Sequence, residues 1–242
     1  MDYAFSEMFN NVLSHSNASK VTVKLIEDAM KTYIVVEDNG IGIFKKIKND
    51  LSIQDEHQSL LELAKGKFTS NPKEHSGEGI FFSCRACDLF LIHSGSLTYS
   101  LDPASDIGKF IETDKDLEDN NFSGTLVLMA MNNNSSNSLK KFLMNIFQVT
   151  KIKTFCKTVV PVKLLRYKDE GIISRSQAKR LLARFDKFKY AVLDFSGIDD
   201  IGQVFADEIF RVFVNSHPEI EISYIEANES IKNMIEHVSA NR

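Results

Sequence analysis

The sequence has few cysteines, no excess of basic charge and no long apolar run. Its cysteines, Cys84, Cys87 and Cys156, are odd in number and too few for a disulfide framework, so a reducing compartment suits them. The formal net charge of -4 gives no general basic surface for nucleic acid. No stretch reaches the roughly 18 apolar residues that a membrane span needs, and the first residues lack a signal peptide's apolar core. We therefore expect a cytoplasmic protein with no membrane or nucleic-acid partner.

The 242 residues, 43% hydrophobic and 26% charged, allow two modest domains. The spacing of apolar residues in the first half predicts an α+β arrangement with antiparallel strands. The predicted elements are helices at Tyr3–Leu13, Ser59–Ala64 and Ile80–Cys87, and strands at Val21–Ile26, Tyr33–Val36, Leu89–His93, Leu97–Leu101, Ile107–Glu112 and Thr125–Met131. The polar, glycine-containing segment Lys65–Gly79 is predicted to be a mobile lid. The first domain is expected to span residues 1–131.

Strands and helices alternate in the last third of the chain. The predicted strands are Val159–Leu165, Tyr190–Phe195 and Ile220–Ile225, and the predicted helices are Ser174–Phe185, Val204–Val214 and Ser230–His237. This alternation predicts crossover connections and a largely parallel sheet. The polar run at 132–138 and a predicted helix at Leu139–Phe147 indicate a connector, residues 132–158, before a small α/β domain at 159–242.

Four short motifs in the first half carry candidate chemistry. In the first, a four-residue spacing places Glu7 and Asn11 on one face of a helix, one turn apart. An Asn side chain offers a neutral oxygen ligand to magnesium, and a nearby carboxylate can position or deprotonate a water molecule. Taken alone, this pattern is also typical of the solvated edge of an amphipathic helix.

The second motif is the run Asp38-Asn-Gly40-Ile-Gly42, which follows an apolar strand. Its glycines permit a positive φ and the close approach of a ligand to the main chain. The Asp38 carboxylate can accept a hydrogen bond from an exocyclic amine such as that of adenine. A hairpin turn is the simpler interpretation, because Asn-Gly after a strand is a strong turn signal.

The third motif, His75-Ser-Gly77-Glu-Gly79, precedes a helix whose free amides and positive dipole end can bind phosphate. The fourth is Gly124-Thr125 at the start of a strand, where the Thr125 hydroxyl can support Asp38 and the base that it contacts. Either motif by itself is also ordinary structure.

Together and in this order, the four motifs resemble the GHKL superfamily, the Bergerat-fold ATPases that include gyrase, heat-shock chaperones, histidine kinases and mismatch-repair proteins. The resemblance covers residues 1–131. It implies an α/β sandwich with a mixed, mostly antiparallel sheet and helices on one face, together with ATP and Mg²⁺ as cofactors. It further implies these roles: Asn11 binds magnesium, Glu7 is the catalytic base, Asp38 contacts adenine, Gly40 and Gly42 form one glycine box, Gly77 and Gly79 form the other, and Thr125 lies near the adenine.

Two departures from the superfamily's usual sequence limit which of its activities are expected here. No phosphoacceptor helix pair precedes the domain, so histidine autokinase activity is not expected. There is no room for the lysine-bearing transducer domain of gyrase-like members, so strong dimer-coupled ATPase activity is not expected either. Whether the chain forms a homodimer stays open.

The run from Asp194 to Phe210 resembles the STAS-like family, the DUF4325-type relative of sulfate-transporter and anti-anti-sigma-factor domains. Anti-anti-sigma factors carry a phosphorylated serine in the loop after this strand, but the matching stretch here reads Gly202-Gln203-Val204-Phe205. Ser196 lies earlier and is interpreted as a turn residue. Asp207 and Glu208 suit a solvated helix start better than a metal site.

The leading hypothesis is an ATP- and magnesium-binding regulatory protein. Nucleotide would order the lid, and the STAS-like domain would read that state to control a partner protein. The alternative is an anti-sigma-type serine/threonine kinase or a slow ATPase that uses Glu7. A third class is an interaction module whose pocket binds no nucleotide.

The Cys84-x-x-Cys87 pair allows two interpretations as well. Because no second ligand pair accompanies it and the surrounding stretch is apolar, core packing is favoured over metal or redox chemistry.

Overall fold

A computed structural model describes residues 1–68, 77–102, 107–112, 122–134, 156–166 and 170–240. The chain divides into two compact units, Met1–Lys151 and Ile152–Arg242. The helix predicted at Leu139–Phe147, His75, and residues 69–76 of the predicted lid lie outside the described residues. Within the described part, no helix has the length and apolar character needed to cross a membrane.

The first unit combines four helices with an antiparallel sheet in its described part. The helices are α1 (Asp2–His15), α2 (Ile43–Leu51), α3 (His57–Lys65) and α4 (Gly79–Ala86). The strands are β1 (Val21–Glu27), β2 (Lys31–Asp38), β3 (Leu89–Ser94), β4 (Leu97–Asp102), β5 (Ile107–Glu112) and β6 (Leu126–Asn132). Their order in the sheet is β1-β2-β6-β3-β4-β5, and every neighbouring pair is antiparallel.

The core of this unit lies between the sheet and the helices. The central strands contribute alternate apolar side chains, and Val36, paired with Val127, is buried. Met8 on α1 is buried as well, and α1 packs against α4, β2 and β6. This burial follows the period of two in the strands and of 3.6 in the helix that the sequence shows. The predicted α+β class is confirmed, and the paired strands are all antiparallel where a mixed sheet was expected.

Helix α2 was not predicted, because Ile43 was interpreted as the end of the glycine motif. The sequence nevertheless contained a signal for it. Phe44 and Ile47 are buried and lie three residues apart, and lysines occupy intervening positions, which is the pattern of an amphipathic helix.

The second unit contains a three-stranded parallel sheet. Its elements are β7 (Lys157–Pro161), α5 (Arg175–Leu182), β8 (Tyr190–Asp194), α6 (Gln203–Asp207), β9 (Glu221–Ile225) and α7 (Glu229–Ser239). The chain continues beyond α6 as a π-helical turn, Glu208–Phe213, and a final turn, Val214–Ser216. The strands lie in the order β7-β8-β9 with parallel pairing, which confirms the parallel sheet that the alternation predicts.

One strand of this unit ends earlier than predicted. The sequence indicated a strand over Val159–Leu165, but the strand ends at Pro161 and Val162–Leu165 forms a 3₁₀ turn. Pro161 has no N–H to continue a ladder of hydrogen bonds, so the strand stops there. The apolar run is buried in the turn instead, with Val162, Leu164 and Leu165 all in the core.

Candidate functional site

A cavity of about 320 Å³ lies in the first unit. It is walled by one face of α1, one face of α2, the sheet, and the chain before and after residues 69–76. Seven of the eight residues predicted for the site line it, namely Glu7, Asn11, Asp38, Gly42, Gly77, Gly79 and Thr125. The eighth, Gly40, is not part of the wall.

Asp38 ends strand β2 and is buried at one end of the cavity, with 3% of its surface exposed. Its backbone N–H donates to the Thr125 carbonyl at 2.9 Å, and its Oδ1 accepts from the Gly40 N–H at 2.7 Å. Burial raises the pKa of the Asp38 carboxyl above its ordinary value of 3.8, although hydrogen bonds from the Gly40 and Thr125 amides act in the opposite direction. The carboxylate is therefore fixed in position but poorly solvated, which suits it to accept a hydrogen bond from a ligand.

Thr125 connects this strand to α2. Its Oγ1 accepts a hydrogen bond from the Ile43 N–H, the first amide of α2, at 3.0 Å. The hydroxyl was expected to support Asp38. It is the backbone of Thr125 that contacts Asp38, while the hydroxyl caps the helix.

Two glycines at this end allow backbone segments to meet. Gly42 has a φ of +82°, and a Cβ there would lie 2.5 Å from the Ser94 Oγ. Gly124 has a φ of +112°, and a Cβ there would overlap the carbonyl oxygen of Asp38. Side chains other than hydrogen would therefore push the Asp38 turn away from β6.

Gly40 has a related role outside the wall. A Cβ at Gly40 would overlap the Ser16 carbonyl oxygen at the end of α1. The same carbonyl accepts a hydrogen bond from the Ile41 N–H at 2.8 Å. Gly40 thus allows the end of α1 to lie against the turn that carries Asp38, and it need not touch a ligand.

Glu7 and Asn11 line the cavity from α1, one helical turn apart. We call their part of the wall the Glu7 end and the part around Asp38 the Asp38 end. Neither side chain forms a hydrogen bond within the described part of the chain. Glu7 approaches the second glycine loop so closely that a Cβ at Gly79 would overlap its Oε2. Gly79 begins α4, so the Glu7 carboxylate lies near the positive end of that helix.

Negative charge accumulates around Glu7. The pKa of Tyr3, which also lines the cavity, is raised to about 12, first by burial and then by the carboxylates of Glu7 and Glu78. The Tyr3 phenol is consequently neutral at physiological pH. A cation would be favoured at this end, beside a neutral oxygen ligand from Asn11.

Gly77 allows the two segments of chain at the start and end of the second glycine loop to lie close together. It has a φ of +71°, and a Cβ there would lie 2.6 Å from the Phe68 carbonyl oxygen. The chain before and after residues 69–76 therefore meets at this point, and both Phe68 and Gly77 line the cavity.

The sequence reasoning missed residues of the wall and one residue that supports it. Ser94, which does not line the cavity, donates from its Oγ to the Gly124 carbonyl at 2.6 Å and so fixes the strand entry beside Thr125. Lys46 and Asp50 line the cavity from α2. The spacing of residues 43, 46, 47 and 50 could have indicated that face, had α2 been predicted.

The wall residues fit a magnesium nucleotide in their chemistry. Asn11 supplies a hard oxygen ligand, and Mg²⁺ typically takes one or two such protein ligands and completes its shell with phosphate and water. Gly77 and Gly79 place the main chain before and at the start of α4 in the wall, where backbone amides can donate to phosphate. Asp38 is an acceptor in another part of the wall, where a base with an exocyclic amine would be recognised.

The other motifs singled out in the sequence have structural roles. Cys84 and Cys87 are both buried, as core packing predicts, and burial raises the pKa of the Cys87 thiol to about 12. In the second unit, Ser196 donates from its Oγ to Asp194 Oδ1 at 2.6 Å within the predicted turn. Asp207 accepts a hydrogen bond from Arg211 at 2.7 Å, and Glu208 lies 3.1 Å from Arg175.

Comparison with known proteins bears on both units. No curated protein sequence matches the chain. Among solved structures, it is similar to the 43K ATPase domain of Thermus thermophilus gyrase B in complex with an aminocoumarin, with 16% identity and a TM-score of 0.34. The match covers 61% of this chain and spans 39% of the length of that one. Because a TM-score this low carries little weight, we draw on the cavity's own residues for its function.

The C-terminal part matches a family model. Residues 177–232 match the model described as the STAS-like domain of unknown function (DUF4325). This stretch includes most of α5, all of β8, α6 and β9, and the start of α7, and so contains two of the three strands of the parallel sheet. The second unit of the chain therefore carries a STAS-like domain, as its sequence predicted.

Proposed function

We propose that the protein is a nucleotide-dependent regulator, whose first unit binds ATP with Mg²⁺ and whose STAS-like unit passes the nucleotide state to a partner protein. The observation that carries the proposal is the composition of one cavity. A buried carboxylate, Asp38, lines one part of it, while two polar side chains that form no hydrogen bond among the described residues, Glu7 and Asn11, line it from α1. Its volume lies at the lower end of the range for small-molecule sites.

The proposed binding mode assigns one task to each end. Asp38 accepts a hydrogen bond from the adenine amine, and Thr125 and Gly42 shape the adjacent wall. Asn11 ligates Mg²⁺, and the main-chain amides of Gly77 and Gly79 are the proposed donors to the phosphates. Gly40 supports Asp38 by donating its N–H to the Asp38 carboxylate. Bound magnesium would neutralise phosphate charge beside Asn11.

Calorimetry on the full chain tests this binding mode. ATP with Mg²⁺ is expected to bind more tightly than GTP with Mg²⁺, because guanine presents a carbonyl where adenine presents its amine. Chelation of Mg²⁺ is expected to weaken ATP binding. Equal affinity for the two nucleotides would contradict the assignment of Asp38, and absence of binding to either would leave the interaction module as the remaining class.

The regulatory role of the second unit needs a separate test. Hydrogen exchange on the full chain, with and without ATP and Mg²⁺, is expected to change amide protection in the STAS-like unit as well as around the cavity. Changes confined to the first unit would contradict signalling within this chain. Residues 69–76 of the predicted lid are not needed for this proposal.

A second candidate function is a kinase of the anti-sigma type or a slow ATPase. It is favoured by the position of Glu7, whose carboxylate lies against Gly79 and is not held by a hydrogen bond within the described residues. Such a carboxylate can act as a general base for water or a hydroxyl group. Single-turnover incubation with γ-labelled ATP distinguishes the outcomes: inorganic phosphate identifies an ATPase, phosphoprotein identifies a kinase, and intact ATP identifies a sensor.

A further inference from the structure

A charged pair on α2 forms part of the cavity wall. Lys46 Nζ donates to Asp50 Oδ1 at 2.6 Å and to Oδ2 at 2.7 Å. The side chains are 25% exposed for Lys46 and 20% exposed for Asp50, and Asp50 as a whole residue is exposed, so solvent reaches the pair. Because solvent screens it, an ion pair of this kind between neighbouring turns of a helix is weak and can be broken at little cost.

The direction of Lys46 is set by the helix. The residues of α2 that line the cavity are Ile43, Lys46, Ile47 and Asp50, a spacing that defines one face. Lys45 is exposed, and neither it nor Lys48 lines the cavity. Of the three lysines on α2, only Lys46 belongs to the wall.

The charged side chains of the wall are mostly acidic, and Lys46 is an exception. Its acidic members are Glu7, Asp38 and Asp50, and among the described residues Lys46 is the one lysine or arginine that lines the cavity. A nucleotide triphosphate brings several more negative charges into this space. An ammonium group is a strong partner for phosphate, and it has no acceptor with which to contact the adenine amine.

We propose that Lys46 binds the phosphate chain of the nucleotide, and that Asp50 is the counter-ion that holds Lys46 until nucleotide displaces it. This inference rests on the proposed nucleotide site and extends it. The bidentate contact with Asp50 keeps the ammonium group at the wall, so the charge of the empty cavity is balanced locally. In this inference, nucleotide phosphate displaces Asp50 from the ammonium group, so Asp50 weakens the affinity for phosphate-bearing ligands.

Calorimetry with ATP plus Mg²⁺ and with adenosine tests both parts of the inference. Lys46→Met is expected to weaken ATP binding by about tenfold to a hundredfold and to leave adenosine binding unchanged, because adenosine lacks phosphate. Asp50→Asn is expected to tighten ATP binding by roughly threefold to tenfold, since it removes a competitor and a negative charge. The double variant is expected to lose this gain, because Asp50 acts through Lys46.

Lys45→Met is the matched control, since it removes the same charge one residue away on the same helix. It is expected to match the wild type for both ligands. Thermal unfolding and adenosine binding confirm that each variant is folded. If Lys46→Met does not fold, Lys46→Gln replaces it in the same test.

The outcomes separate this inference from the proposed function. If Lys46→Met binds ATP as Lys45→Met does, while Asp38→Asn loses adenosine, the nucleotide site stands and the role of Lys46 is overturned. If Asp50→Asn weakens ATP binding, the role of Asp50 as a competitor is overturned. If the wild type binds neither ligand, the proposed function fails and the inference fails with it.

Discussion

The two ends of the cavity differ in what holds their functional side chains. At the Asp38 end, hydrogen bonds and glycine contacts join β2, β6, α1 and α2. Asp38 donates from its N–H to the Thr125 carbonyl and accepts at Oδ1 from the Gly40 N–H. At the Glu7 end, Glu7 and Asn11 project from one helix without a hydrogen bond in the described part of the chain. The first end is preorganised for recognition, whereas the second has ligand positions that only a bound ion or phosphate would fill.

The glycines at the two ends also differ in which atoms surround them. A Cβ at Gly124 would overlap main chain, the Asp38 carbonyl, which cannot move independently. A Cβ at Gly79 would overlap the far end of the Glu7 side chain, which can rotate away. A side chain added at Gly124 is therefore expected to affect folding, and one added at Gly79 to affect ligand chemistry.

The largest expected effect is on folding. Gly124→Ala combines a φ of +112° with overlap of the Asp38 backbone, so we expect a loss of about 3 kcal/mol or more in the free energy of unfolding. Gly95→Ala is the control in the same unit, because its φ is +58° and its nearest neighbour, Glu56 Oε2, lies at 3.8 Å. It is expected to cost only about 1 kcal/mol. Denaturant titration measures both, and equal losses would show that the contact with Asp38 is unimportant.

Asp38→Asn is expected to separate binding from stability. Adenosine affinity is expected to fall by about tenfold to a hundredfold, because an amide has one acceptor oxygen where the carboxylate has two, so the Gly40 N–H and the adenine amine would compete for it. Since burial raises the pKa of Asp38, its charge opposes folding at neutral pH, and the variant is expected to keep or gain thermal stability.

Glu37→Gln is the control for this change. It removes a carboxylate from the adjacent residue, which is partly exposed and does not line the cavity. If both variants lose adenosine affinity to the same extent, a general charge effect would replace the specific role of Asp38.

Asn11→Ala tests the Glu7 end directly. We expect the Mg²⁺-dependent part of ATP affinity to fall by roughly tenfold, because the neutral oxygen ligand is lost, while ATP affinity in the presence of chelator stays the same. Asn10→Ala is a matched control, since Asn10 is exposed and not part of the wall. Calorimetry with and without Mg²⁺ measures the difference. An equal loss with and without Mg²⁺ would argue against magnesium ligation by Asn11.

The raised pKa of Asp38 predicts a pH dependence. As pH is lowered, Asp38 gains its proton above the ordinary value of 3.8, so adenosine affinity is expected to decline at a higher pH than an exposed aspartate would give. Stability is expected to change in the opposite sense. The native carboxyl binds its proton more tightly than the unfolded one, so the unfolding free energy contributed by Asp38 increases as pH falls through its native pKa. An adenosine titration of the wild type across pH measures the change in affinity. Denaturant titrations of the wild type and Asp38→Asn across pH measure the change in unfolding free energy.

The smallest effect is expected from Gly79→Ala. The added methyl group must displace the Glu7 carboxylate, but Ala is a better helix former than Gly, so stability is expected to change by less than about 1 kcal/mol. If single-turnover assays detect hydrolysis or transfer, this variant and Glu7→Gln are expected to slow it without a large change in ATP affinity. A strong loss of ATP affinity in both variants would assign Glu7 to binding.

The fold could be predicted where the pattern was local. Helical spacing predicted α1 to within two residues of its observed bounds, and the apolar run Tyr33–Val36 predicted the centre of β2, which extends two residues further at each end. The parallel sheet followed from the order of strands and helices. Helix α2 was missed because a glycine motif obscured its first residue. The strand at β7 was extended too far because an apolar run alone does not distinguish a strand from a buried 3₁₀ turn.

The candidate site shows the same division. The sequence alone identified which residue types could bind a base, a metal ion and phosphate, because a four-residue helical spacing and a strand followed by glycines are local features. Only the tertiary structure brought Gly124 against Asp38, placed Gly40 behind the wall and turned Lys46 and Asp50 into the cavity. Those contacts join segments far apart in the chain, and their existence depends on how helices and strands pack rather than on any local pattern.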